Sequence, residues 1–286
     1  MKIAVIGGAG RMGKLLSKYF IDRGFEVLIS DIRQAEAELF ADSIGAMFAE
    51  NNVAAVESAE TIVLSTPINV MPYVLDEISQ RIKPSTTLVE ISSVKSGIMP
   101  KLRRIAGKGV CVISLHPLFG PGAQSFKGGR AALIPVEESS RELVRAKNLF
   151  PDLELIIVDS EEHDKVMALT LSLTHFVNII FASTIIEEDI NLLKRLGGTT
   201  FTLQLVISEG VMSEDPAFYA HLQADNPYTI RFLEKFFDRA RMMKDLIDKK
   251  DLDSFKRICI DIRENLAKDE KFSSAYERMY KALNAL

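Results

Sequence analysis

His116 stands immediately before Pro117 in the run Ser114-Leu115-His116-Pro117-Leu118-Phe119-Gly120-Pro121, at the end of an apolar, β-branched stretch. A residue that precedes proline is held extended, which limits where its side chain can point. A neutral imidazole fixed in this way can accept the proton of an alcohol while hydride leaves the carbinol carbon. Such an acceptor works only while uncharged, so activity is expected to fall near the ordinary histidine pKa of about 6.5. A second polar strand end, Glu90-Ile91-Ser92-Ser93-Val94-Lys95-Ser96, supplies two more candidates. Ser93 can bond the same hydroxyl or orient the ring, and Lys95 can meet a substrate carboxylate or hold the loop. A lone histidine at a strand end is commonly structural; the two flanking loops turn this one toward chemistry.

Hydride needs an acceptor, and the N-terminus offers a place for one. The apolar run Lys2–Ile6 enters Gly7-Gly8-Ala9-Gly10-Arg11-Met12-Gly13, in which Gly8, Gly10 and Gly13 satisfy the dinucleotide fingerprint between a strand and an amphipathic helix. Gly8 is assigned to the tight turn, Gly10 to close approach of the pyrophosphate, and Gly13 to packing of helix on strand. Arg11 and Met12 begin the helix whose amides and dipole face the phosphates. Asp31 follows Gly13 by 18 residues, at the end of the next strand. A carboxylate there accepts from both ribose hydroxyls and repels a 2′-phosphate, which favours NAD over NADP, although Arg33 beside it could tolerate the phosphate. Thr66 and Pro67, after Leu64-Ser65, are expected under the nicotinamide ribose. A structural glycine turn, an FAD site and a nucleotide-sugar site are the alternatives.

These positions need a sheet to carry them. Strand patterns fall at Lys2–Ile6, Glu26–Ile29, Thr61–Ser65, Thr86–Ile91, Val110–Ser114, Ala131–Val136 and Glu154–Val158, with helical patterns such as Arg11–Arg23, Val70–Arg81 and Ser139–Phe150 between them. That alternation predicts an α/β fold, a Rossmann-type doubly wound, mostly parallel sheet, over residues 1–158. From residue 159 to 286 the pattern is helical throughout, predicting an all-α domain. Asp159 and Glu162 fit a capping box, and Asp215-Pro216 and Asn226-Pro227 fit cap-plus-proline helix starts. The apolar helices of so short a domain point to a homodimer formed through it.

The bulk composition is ordinary: 286 residues, 47% hydrophobic, 26% charged, net charge −4. The charge gives no case for nucleic acid or an anionic membrane. Two cysteines, Cys111 and Cys259, form no disulfide or metal pattern, so no metal is expected and a reducing, cytoplasmic setting is. The longest apolar stretch, Val166–Ile186, is interrupted by His175 and Asn178 and reads as a buried helix.

The sequence resembles the prephenate and arogenate dehydrogenases. The likeness rests on the glycine run, on Ser93-Val94-Lys95, and above all on His116-Pro117-Leu118-Phe119-Gly120-Pro121. It continues through Glu162-His163-Asp164, Leu173-Thr174-His175-Phe176 and Asp215-Pro216-Ala217-Phe218-Tyr219-Ala220. It implies NAD-dependent oxidative decarboxylation of a cyclohexadienol such as prephenate, giving 4-hydroxyphenylpyruvate. By the same resemblance His116 is the catalytic hydrogen-bond acceptor, Ser93 its hydroxyl partner and His175 a residue of the substrate pocket, while His163 reads as mostly structural. Relatives are sometimes fused to chorismate mutase or prephenate dehydratase modules. One position departs from the pattern: where the family places an arginine for a substrate carboxylate, this chain has Gly210, and a second such position falls near Thr202. Lys95, Lys127, Arg130, Arg195 and Arg231 are the candidates to replace it. A β-hydroxyacid dehydrogenase and a non-catalytic NAD-binding regulator remain as alternative readings.

Overall fold

The computed structural model of the chain describes residues 1–286. Eight strands form one sheet: β1 (Lys2–Ile6), β2 (Glu26–Ser30), β3 (Met47–Phe48), β4 (Thr61–Leu64), β5 (Thr87–Glu90), β6 (Cys111–Pro117), β7 (Arg130–Ile134) and β8 (Glu154–Ile157). Their order is β3-β2-β1-β4-β5-β6-β7-β8. Every neighbouring pair is parallel except β6–β7. The order reverses between β1 and β4, which opens a crevice at the carboxyl ends of these strands, where doubly wound sheets bind ligands.

Seven helices accompany the sheet: α1 (Arg11–Asp22), α2 (Gln34–Ile44), α3 (Asn52–Ser58), α4 (Met71–Ile78), α5 (Met99–Ala106), α6 (Ser139–Leu149) and α7 (Ser160–Met167). The central strands read as continuous apolar runs because both of their faces are covered. Along β4 the side chains alternate: Val63 joins Leu16, Phe20 and Phe150 on one face, while Ile62 and Leu64 join Met71, Leu75 and Leu102 on the other. The seven expected strands are present with ends shifted by a few residues. Two-residue β3 is additional, too short to leave a pattern.

The chain divides into two compact units, Met1–Met167 with Ala224–Pro227, and Ala168–Gln223 with Tyr228–Leu286. The change from strand to helix comes after β8, and α7 belongs to the first unit. The second unit is helical: a π-helical stretch at Ala168–Leu173, then α8 (Thr174–Ile185), α9 (Ile190–Leu196), α10 (Thr199–Met212), most of α11 (Pro216–Asp225), α12 (Thr229–Asp248), α13 (Leu252–Leu266) and α14 (Ala275–Leu283). The continuous helical run Ser160–Ile185 is long and apolar enough to cross a membrane by length and composition. The expected buried helix is not what this chain forms: of α8 only Asn178 is buried, donating to the Thr174 carbonyl and accepting from Gln204 and Ser208, while Ile180 is exposed.

The capping expectations meet mixed outcomes. Asp159 accepts from the amides of Glu161 and Glu162, but Glu162 pairs with Lys165 and does not reach back, so the box is half formed. Asp215 caps α11 through the Ala217 amide. α12 begins at Thr229, two residues beyond Pro227, and the Asn226 side-chain amide donates to the Asp164 carbonyl. Asn226 is 2% exposed, so its polar side chain needs partners within the protein.

Phe20 is fully buried, with the Phe25 and Phe150 rings centred 6.0 and 5.6 Å away. Phe20→Ala should lower the unfolding free energy by about 3–5 kcal/mol in denaturant titration, the range for emptying an aromatic site in a packed core; a loss below 1 kcal/mol would show that this face of the sheet is not close-packed.

Candidate active site

The parallel strands β1, β4, β5 and β6 all end at one edge of the sheet, and the residues with chemistry leave from that edge. At β1 the turn is tight because Gly7 adopts φ 78°, a left-handed conformation suited to glycine. The conformational burden assigned to Gly8 thus falls on Gly7; Gly8 is instead needed because a Cβ there would lie 2.6 Å from the Ile29 side chain. Gly13 has the expected role, since a Cβ would come 2.1 Å from the Gly7 carbonyl oxygen. The turn also abuts the end of β4: a Cβ on Gly7 would meet the Ser65 oxygen at 2.5 Å, which places Thr66 and Pro67 next to it. No side chain caps the N-terminus of α1 at Gly10, so the amides at Arg11 and Met12 face outward from the turn. Arg11 is exposed, and Met12 is half-buried against the core.

Asp31 is tied into this turn. Its Oδ2 accepts from the Ala9 amide at 3.0 Å and its Oδ1 from the Arg33 amide at 3.0 Å. Arg33 is engaged by acids, with Asp31 at 3.4 Å and Glu36 at 2.9 Å, and Glu36 also takes Lys14 at 2.7 Å. The hydrogen bond from Lys14 is the main cause holding the Glu36 carboxyl below its ordinary value. A 2′-phosphate would meet two carboxylates here, while ribose hydroxyls can still bond the remaining lone pairs of Asp31. The cradle fits a dinucleotide.

His116 lies on the part of β6 that runs beyond β5, since Ser114 is already opposite the last residue of β5, Glu90. The antiparallel β7 supports that extension, with His116 opposite Ala132. The ring is 6% exposed. Its Nδ1 sits 3.0 Å from Nε2 of His163, whose own Nδ1 is 2.8 Å from Asp164. Nε2 of His116 has no protein partner and is not sealed from solvent. Burial above all, then Lys95 and His163, hold the His116 pKa well below its usual 6.5. The ring is therefore neutral at pH 6.5 and above.

Lys95 corrects an expectation. It is fully buried and spends its ammonium on both oxygens of Glu90, at 3.1 and 3.0 Å, and on the Leu115 carbonyl at 3.0 Å. With three donors and three acceptors it has nothing left for a substrate carboxylate; it holds the loop. Burial pushes its pKa down, against the pull of Glu90. Glu90 also accepts from the Ser114 hydroxyl and the Ser92 amide, so the buried pair is fully bonded. Ser93 is half-buried with no side-chain bond, so the ring is oriented by His163 and not by Ser93.

His163 is thus the site residue that sequence reasoning set aside. Its adjacency to a cap gave it a local explanation; the structure adds contacts to Asp164 beside it and to the distant His116. Asp164 takes hydrogen bonds from the amides of Lys95 and Ser96, the Ser96 hydroxyl and His163. Burial raises the Asp164 carboxyl, but those donors outweigh it and hold the group below its ordinary value. Arg130, the first residue of β7, lies at the same sheet edge as Pro117, exposed and without an ion pair. His175 belongs to the second unit. Its Nδ1 donates to the Leu171 carbonyl at 2.6 Å, and its ring lies 5.0 Å from that of Tyr219. Gly210 is exposed, and nothing lies within 4 Å of where its Cβ would be.

Residues 16–167 match the model described as the prephenate dehydrogenase nucleotide-binding domain, and residues 159–260 match the prephenate dehydrogenase dimerization domain. The chain belongs to the prephenate dehydrogenase family. A probable arogenate/prephenate dehydrogenase of Methanocaldococcus jannaschii is 24% identical over 96% of this chain and 63% of its own length. A T-protein of Enterobacter agglomerans is 23% identical over 88% of this chain and 64% of its own. The chain therefore spans a little under two thirds of the length of these curated relatives. In fold it is similar to a prephenate dehydrogenase from A. aeolicus solved with hydroxyphenyl propionate and NAD+ (TM-score 0.77, 19% identity, 94% of this chain and 98% of that one). It is similar also to Synechocystis arogenate dehydrogenase (TM-score 0.69, 18% identity, 94% and 99%).

Removing one partner of a buried, bonded ion pair leaves the other charge stranded. Lys95→Met should cost about 3–5 kcal/mol of stability by denaturant unfolding. Unchanged stability together with a raised KM would restore Lys95 as a substrate anchor.

Proposed function

We propose that the protein catalyses NAD-dependent oxidative decarboxylation of prephenate to 4-hydroxyphenylpyruvate, with arogenate as the neighbouring substrate. One observation carries this reading. At the sheet edge that bears the dinucleotide turn stands a buried, neutral imidazole with one nitrogen committed to the protein and the other open to a ligand. Held by the glycine turn and Asp31, NAD would supply the acceptor for the hydride that leaves C4 of the substrate. His116 Nε2 accepts the C4 hydroxyl hydrogen as that happens, which pushes electron density toward the carbon losing hydride. The bond from C1 to its carboxylate breaks with loss of CO2, its electron pair completes the aromatic ring, and the proton stays with or returns to the phenol oxygen. Aromatisation supplies the driving force, so the protein's task is position and polarity. Ser93, unbonded within the protein, is assigned the same hydroxyl, and His175 keeps the substrate role that the resemblance implies. Asp31 sets the preference for NAD.

The carboxylate anchor is assigned to Arg130, because it is the cation at this edge whose guanidinium is not already paired. The second unit carries exposed apolar side chains on consecutive helices, among them Ile180, Ile186, Leu196 and Ile207. Together with the matched dimerization domain, they support a homodimer.

His116→Asn should reduce kcat by roughly 10²–10⁴-fold with KM for NAD unchanged. In the wild type, kcat/KM should stay level from pH 8 to 6.5 and fall only well below 6.5, as the depressed imidazole takes its proton. Unchanged turnover in the variant, or an acid limb centred above 6.5, would remove His116 from the mechanism. Stability should follow the same sign, since the unfolded chain binds that proton first and folding weakens as pH drops through about 6.5. Arg130→Ala should raise KM for prephenate at least tenfold, matching the loss of a charge-assisted contact of about 1.5–3 kcal/mol; an unaltered KM places the anchor elsewhere.

A further inference from the structure

The mechanism asks for a lone pair on His116 Nε2, and a neutral imidazole has one only if its proton sits on Nδ1. We propose that His163 and Asp164 form a positioning relay that holds His116 in the Nδ1–H tautomer and so makes Nε2 the acceptor. The proposal rests on the catalytic reading of His116 given above.

The direction of the relay follows from donor counting. Asp164 is fully buried and receives the amide hydrogens of Lys95 and Ser96 and the Ser96 hydroxyl, which leaves it in the role of pure acceptor. A carboxylate so surrounded stays ionised. Its neighbour at 2.8 Å, Nδ1 of His163, must then carry hydrogen. In a neutral His163 this leaves Nε2 with a lone pair directed at Nδ1 of His116, 3.0 Å away. The two rings meet edge to face, with planes 76° apart. Nδ1 of His116 is the donor in that contact, and its other nitrogen is bare.

The remaining charged groups leave the arrangement alone. Lys95 and Glu90 neutralise one another at 3.0 Å, and Lys95 is turned to the Leu115 carbonyl. The Ser114 hydroxyl is spent on Glu90. A relay of this kind differs from a merely structural bond between α7 and the Val94–Ser96 loop, because it fixes which atom of another residue holds a proton.

Tautomers are read directly in long-range ¹H–¹⁵N correlation spectra of the ¹⁵N-labelled full chain with NAD, and only four histidines need assignment. The expected wild-type result at pH 7.5 is hydrogen on Nδ1 of His116. Asp164→Asn can present its amide NH to His163 Nδ1, which moves the His163 hydrogen to Nε2 and reverses His116 to Nε2–H. Its kcat should drop on the order of 10²–10⁴-fold with KM for NAD unchanged. His163→Gln places an amide oxygen where Nε2 stood and should keep Nδ1–H on His116 with kcat within about tenfold of wild type; His163→Leu should lose at least a further tenfold. This pair carries the comparison if the asparagine variant does not fold. Hydrogen on Nε2 of wild-type His116, an unchanged tautomer in folded Asp164→Asn, or equal losses in the glutamine and leucine variants would overturn the relay. The tautomer is measured without substrate, so the expected spectra alongside no turnover of prephenate or arogenate would sink the catalytic reading alone.

Discussion

Two carboxylates with no solvent exposure, Glu90 and Asp164, flank the residue on which the chemistry is placed. Burying an ionised group costs several kcal/mol unless its lone pairs are met, and that requirement organises everything around His116. Glu90 is met by Lys95, Ser114 and the Ser92 amide, which fixes the strand-to-loop transition after β5. Asp164 is met by Lys95 and Ser96 through the same loop and by His163 through α7. Lys95 bonds Glu90 through its side chain and Asp164 through its backbone, and it also holds the Leu115 carbonyl next to His116. The His116 ring makes a single bond of its own, to His163, and that partner is fixed in turn by Asp164.

The same arrangement bears on the kind of base His116 would be in the proposed reaction. Burial and the nearby ammonium disfavour an imidazolium, so the acceptor form is fully populated at neutral pH. A lower pKa also makes a weaker base, a real cost where proton abstraction drives the reaction. It costs little where the substrate gains aromaticity, because the protein then needs only a well-aimed lone pair. The electrostatics suit a reaction whose driving force lies in the substrate.

Much of the sheet was legible in the sequence because its strands are buried on both faces and read as unbroken Val, Ile and Leu runs. The glycine turn was legible because few sequences place three glycines between a strand and an amphipathic helix. What could not be read depends on partners far apart in the chain. The His116–His163 contact closes 47 residues and the Lys95–Asp164 bond 69. Nothing in the local pattern around Lys95 distinguishes a lysine awaiting a ligand from one sealed against Glu90. His163 sits in the first turns of a helix begun by Asp159, and that local role hid the distant one. Gly7 escaped notice because a motif fixes spacing, not the sign of φ.

Gly210 poses the remaining chemical question, and the structure narrows it. The position is exposed with open space beyond its Cα, so crowding does not account for the missing arginine. A helix interior also prefers almost any residue to glycine, by up to about 1 kcal/mol relative to alanine, so helix stability does not explain it either. A substrate with a ring carboxylate and a side-chain carboxylate still needs a cation for the group it keeps. Lys95 is spent, while Arg130 at the start of β7 is not. A guanidinium carried on the sheet edge itself, a few residues along the ladder from His116, would register the substrate against the imidazole through a rigid strand. In the proposed reading that placement would trade an anchor on a helix for one on the strand that pairs with β6, and charge complementarity would survive the glycine at 210.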